Sequence, residues 1–106
     1  NTDLSYGAVD LTSTSTTDIV TLSAVAVVES ILLTNDDGTN DVKATVTWTN
    51  GSNSIQAYLS YELVVPAVAS VELLERPLAM PSGHKLRATA NIGNRCEVIA
   101  ALKYAS

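Results

Sequence analysis

Apolar and polar residues alternate most regularly over residues 42–49. Val42, Ala44, Val46 and Trp48 interleave there with Lys43, Thr45, Thr47 and Thr49. A period of two places the first set on one face of a strand and the second set on the other. After the hairpin signal Asn50-Gly51-Ser52-Asn53 the alternation resumes over 55–65. Ile55, Ala57, Leu59, Tyr61 and Leu63 are set against Gln56, Tyr58, Ser60, Glu62 and Val64. Residues 25–34 are apolar on both faces, which predicts a central strand or a bulge that moves the inward face.

The three prolines, Pro66, Pro77 and Pro81, punctuate the next stretch. Proline cannot donate to a strand ladder, so each marks a strand end, an edge or a corner. Short strands follow over 68–75, 78–80, 85–91 and 96–104, with another at 19–22. The acidic run Asn35 to Asp41 reads as a turn. The pattern predicts an all-β chain forming a single β-sandwich or jelly-roll-like domain of about seven or eight short antiparallel strands. Its expected inward set is Val42, Ala44, Val46, Trp48, Ile55, Ala57, Leu59, Tyr61, Leu86, Ala88, Val98 and Ala100.

The beginning of the chain is different. Leu11 to Thr17 is a Ser/Thr tract with too little apolar surface to fold alone. Residues 1–17 are therefore expected to form a polar N-terminal arm that serves assembly more than folding, with residues 18–106 as the sandwich domain. Tyr6, Ala8, Val9 and Leu11 within the arm suit a short strand or a contact with a neighbouring subunit. The opening Asn1 is compatible with the loss of an initiator or leader.

Composition narrows the function. Of the 106 residues 46% are apolar, mostly Val, Ala, Leu and Ile, with no Phe and one Trp. Only 16% are charged, so hydroxyl and amide side chains cover much of the surface. Such a surface is compatible with packing against other chains. The net charge of −5 argues against nucleic acid, whose phosphates require a basic face. No apolar run is long enough for a helical membrane span. Acids lead the first part of the chain and bases the last, and strands that interleave would average them out.

Few residues offer chemistry. Cys96 is the single cysteine and lies in an alternating run, so it reads as a small core hydrophobe. His84 is the one histidine and opens a strand after Ser82-Gly83. The Asn35 to Asp41 turn has hard oxygens but lacks the EF-hand pattern, and no metal or cofactor is expected. Glu72 and Glu75 have odd spacing and fall on opposite faces of a strand, which is wrong for a carboxylate pair. Asn50-Gly51-Ser52 matches a glycosylation sequon within a tight turn. Tyr58 is the aromatic expected to point outward, where it could form part of a sugar-binding face. Trp48 and Tyr61 fall on the inward register. These residues carry no enzyme signature.

The run V-P-A-V-A-S-V-E-L-L-E-R-P-L-A-M-P-S-G-H-K-L, residues 65–86, resembles small virion structural proteins of tailed bacteriophages. The upstream S-I-L-L-T-N…V run, residues 30–42, and the V-T-W-T strand extend the resemblance. His84 stands where that family usually has an acidic residue. The resemblance implies a β-sandwich that joins a virion. The expected role is a capsid decoration or cement protein on the outer surface of the particle. Its expected partners are the major capsid protein or other virion proteins, and copies of itself in a trimer. A neck, collar or tail-fibre component and a carbohydrate-binding host-recognition module are the alternatives. Leu78, Met80, Arg87, Arg95, Tyr6 and Leu11 are the expected subunit contacts.

Overall fold

The computed structural model describes residues 2–105 and contains nine strands among them. They are β1 (Thr2–Leu11), β2 (Thr17–Thr21), β3 (Ala26–Asn35), β4 (Val42–Thr49), β5 (Ile55–Val65), β6 (Ser70–Glu72), β7 (Leu78–Met80), β8 (Lys85–Ala90) and β9 (Cys96–Ala105). Two sheets pack face to face as a β-sandwich. The larger runs β1-β9-β3-β6, with β7 also on β3, and the smaller runs β2-β8-β4-β5. All the pairings are antiparallel.

The core forms where the inward sides of the strands meet. Leu11, Ile31, Leu33, Val42, Val46, Leu86 and Val98 are each 0% exposed. Burying a side chain of this size contributes about 1.5–3 kcal/mol. The apolar residues on both faces of β3 have two causes. The strand lies between β9 and the β6/β7 pair, and it bulges between Val28 and Ser30. Ala26 and Val28 are buried before the bulge, Ile31 and Leu33 after it, so the extra residue Glu29 shifts the inward phase by one.

Glu72 secures this bulge from β6. Its carboxylate accepts hydrogen bonds from the Ser30 hydroxyl, from Ile31 N at 2.8 Å and from Leu74 N at 3.1 Å. Desolvation opposes its charge, but these donors outweigh that effect and hold its pKa below the ordinary glutamate value. Asn35 plays a similar role at the far end of β3. Its buried amide donates to Asn40 O and Val65 O, and its Oδ1 accepts from Asp37 N. The acidic turn is thus closed by its own side chains.

The segment read as an arm is divided differently. β1 pairs with β9 over its whole length, from Thr2 opposite Ala105 to Leu11 opposite Cys96. Leu11 is fully buried, and residues 12–16 carry the chain across to β2 in the other sheet. The expected boundary at residue 17 therefore falls inside the sandwich. At Gly7 the two sheets come close: a Cβ there would lie 2.7 Å from Ile19 O and 2.9 Å from Val20 Cβ. Only glycine fits so near an opposing backbone.

β5 also departs from expectation. Its 11 residues face the 8 of β4 through three irregularities in register. Ile55 and Tyr61 are consequently 48% and 67% exposed, against their expected inward positions. Trp48, Ala57 and Leu59 are half-buried. The remaining seven residues of the inward set are buried.

Candidate functional site

Two outer faces are open to partners, one on each sheet. On the larger sheet, β1 and β9 place Tyr6 opposite Ala101 and Ala8 opposite Ile99. Side chains opposite one another project from the same side of a sheet, and Leu4 shares that side two residues before Tyr6. Leu4 is 79% exposed, Tyr6 72% and Ile99 46%. The face continues onto β3 through Leu32, the partner of Ile99. A Lys103–Glu29 ion pair at 3.2 Å carries charge on the same two strands.

The outer face of the smaller sheet is built from hydroxyls. Thr45, Thr47 and Thr49 project from β4 beside Thr89 and Arg87 of β8, their register partners being Thr45 with Thr89 and Thr47 with Arg87. They form the floor of a groove of about 360 Å³. Its wall is Ile55, Tyr58 and Tyr61 from β5. A second hollow of about 230 Å³ shares Thr45, Glu62 and Thr89 with the first, and extends it toward Thr14 and Asn91.

The bulges of β5 create that wall. Residues 58 and 61 have odd spacing, so a regular strand would send them to opposite faces. Here their rings meet edge to face with centroids 5.2 Å apart, both exposed. Glu62 adopts a positive φ of 48°, and its N–H donates to Thr45 Oγ1 at 2.9 Å. Ser60 Oγ accepts from Val46 N and donates to Ala44 O. Side-chain hydrogen bonds replace the missing ladder and hold the curl.

The expected contact residues are dispersed. Tyr6 lies on the apolar face. Leu11 and Met80 are buried inside the subunit, at 0% and 1% exposure, and offer nothing to a neighbour. Met80 is opposite Ala26 in the larger sheet, which turns it inward. Leu78 is half-buried and packs against the core. Arg87 is held by Asp18, with Nε donating to Oδ1 at 2.6 Å, and Arg95 by Asp37 at 3.2 Å. With Lys85–Asp18 and Lys103–Glu29, each ion pair joins an early acid to a late base within one chain. The interleaved strands average the charge as expected.

The other candidates have structural duties. The Trp48 indole N–H donates to His84 Nδ1 at 2.9 Å, which places the proton of a neutral His84 on Nε2. Cys96 is buried, and burial together with Asp36 and Glu97 pushes its thiol up to about 11. Few thiolates form at neutral pH in such a setting. Asp37 accepts from Thr39 N and Asn40 N, and these bonds, with Arg95 nearby, hold its carboxyl below the usual range. Asn50 Oδ1 caps its turn by accepting from Ser52 N and Ser54 N. Among the described residues no three His, Cys, Asp or Glu side chains gather as a metal site.

No protein-family model and no curated protein matches the chain. Solved structures do share its fold. A chain of the cyanophage Pam1 capsid is similar over 100% of this chain and 86% of its own, with a TM-score of 0.58 and 17% identity. A chain of the Helicobacter pylori bacteriophage KHP30 capsid is similar over 98% and 87%, with a TM-score of 0.58 and 13% identity. A chain of the disulfide-linked pili of Bacillus endospore appendages is similar over 98% and 88%, with a TM-score of 0.58 and 14% identity. At these identities the common property is the β-sandwich itself.

Proposed function

We propose that this chain is a structural protein of a bacteriophage virion, a decoration or cement protein bound to the outer surface of the assembled shell. The observation that carries the proposal is the apolar outer face of β1 and β9, with Leu4, Tyr6 and Ile99 in water. A cluster of large apolar side chains on one sheet face is a signature of a surface that another protein covers. The likeness of fold to two phage capsid chains supports a shell as the setting. The strand orders β1-β9-β3-β6 and β2-β8-β4-β5 fit jelly-roll connectivity. The function is mass action: a protein that binds only the assembled lattice stabilises that lattice. The proposal assigns no catalytic step to the chain. Its assembly is a homo-trimer, whose copies bring their apolar faces to the major capsid protein.

The test uses intact particles carrying the wild-type chain or Tyr6→Asp. A charge placed at the centre of the face would be desolvated without a partner on docking. The variant should remain folded and be lost from particles, while wild-type attachment survives high salt, since apolar contacts are not screened. Copy number should match the shell lattice, and the solution mass should be that of three protomers. A few copies at one vertex would instead make this a neck, collar or tail-fibre component. Full retention of Tyr6→Asp on particles would overturn the docking face.

A further inference from the structure

The groove of the smaller sheet plays no part in that reading, and its chemistry is distinct. We infer that the groove over Thr45, Thr47 and Thr89, walled by Tyr58 and Tyr61, is a binding site for neutral oligosaccharide.

The floor matches a sugar because both present hydroxyls that donate and accept. A threonine hydroxyl has one donor and two acceptor positions. Thr45 Oγ1 accepts from Glu62 N, which leaves its donor available. Thr89 donates to Thr14 O, which leaves its acceptors available, while Thr49 lies buried beneath the floor and donates to Asn50 O. The floor therefore offers both kinds of partner side by side. The wall supplies the other half of sugar recognition. Tyrosine rings carry negative faces, and the C–H face of a pyranose is apolar and weakly positive. Because Tyr58 and Tyr61 meet at 90°, they make a corner with a face and an edge. The volume of about 360 Å³ lies in the range of small-ligand pockets, and the adjoining hollow of about 230 Å³ gives room for a chain longer than one ring.

Other occupants fit less well. An anion in the groove would need a cation to meet it, but Arg87, the cation that lines it, is bonded to Asp18 and the rim carries Glu62; Lys43 lines only the adjoining hollow. An apolar ligand would cover the threonine hydroxyls without satisfying them. A peptide adding to the edge of β5 needs a regular ladder, and the bulges remove it.

The test is an array of neutral gluco-, manno- and galacto-configured oligosaccharides with sialylated and sulfated chains beside them, followed by calorimetric titration of the full chain with the best binder. Saturable binding is expected, weakened at least tenfold by Tyr58→Ala or Tyr61→Ala. Both residues are more than half exposed, so these variants should keep the wild-type melting temperature. Thr47→Val preserves shape and removes one hydroxyl, and should weaken binding several-fold. Tyr6→Asp, on the other sheet, should bind sugar as wild type does, which separates this site from the docking face. The assignment is overturned by no binding to any neutral oligosaccharide at millimolar concentration, by binding confined to sialylated or sulfated chains, or by affinity unchanged in both tyrosine variants.

Discussion

The two outer faces of the sandwich are built by opposite means. On the larger sheet, β1 follows β9 residue for residue, without a bulge, and the apolar side chains Leu4, Tyr6 and Ile99 lie on a regular surface. On the smaller sheet, β5 departs from β4 three times and folds its tyrosines over a floor of threonines. A regular surface suits a broad partner, whereas a curled strand makes a concavity. The same fold can thus carry a flat apolar contact and a polar groove on opposite sides, with one core between them.

The contrast predicts that inward and outward residues of β1 differ sharply. Leu11→Ala should cost about 2–5 kcal/mol in urea denaturation, since it empties a fully buried site. Leu4→Ala, on the outward side of the same strand, should change stability by no more than about 0.5 kcal/mol. Similar values for the two would show that β1 does not belong to the core. Next in size is Gly7→Ala, expected to cost about 1–3 kcal/mol because the obstructing atoms at Ile19 and Val20 include backbone. A neutral result in thermal melts would mean that the sheets can separate at that corner.

Glu72→Gln tests the bulge that the larger sheet does contain, in β3. The variant should lose about 1 kcal/mol at neutral pH, as charge-assisted hydrogen bonds become neutral ones. Glu72 has a lowered pKa in the folded state, so its contribution is present above its unfolded value, 4.5, and disappears as pH falls through the folded value. Stability curves of wild type and variant should therefore converge as pH falls below 4.5. Parallel curves across that range would exclude the carboxylate as the cause. Smallest is Glu62→Gly in β5. Relief of the positive φ, offset by glycine entropy, should stabilise the chain by about 0.5 kcal/mol. A loss of stability would mean that the Glu62 side chain itself supports the curl.

Sequence patterns gave the sandwich and several strand limits, because residues facing a dry core and a wet exterior must alternate. Strands β4, β5 and β7 begin and end where the alternation and prolines place them. The length of β1 and its place in the sandwich were illegible for a physical reason. Its inward side is Ser5, Gly7, Val9 and Leu11, kept small by the close approach at Gly7, while its outward side is Leu4, Tyr6 and Ala8. Apolar residues stand on both sides, so no alternation marks the strand, and the Ser/Thr crossover that follows strengthens the impression of an arm. The bulges of β5 are equally invisible to a period of two, which is why Tyr61 was expected inside. Met80 lies in a strand of three residues, too short for alternation to choose a face. The threonines of the groove were legible as an outward row. Their concavity was not, because it depends on the curl of the neighbouring strand.

The pairing of β1 with β9 also has a kinetic side. The first of the nine strands emerges from the ribosome with its partner still to be made, and the larger sheet cannot close until the last strand arrives. Contacts so distant along the chain must overcome loop-closure entropy before they yield any stability, and such topologies fold slowly. During that interval the inner edge of β1 is open to the β9 of another nascent copy. The chain is therefore exposed, while folding, to strand exchange between copies.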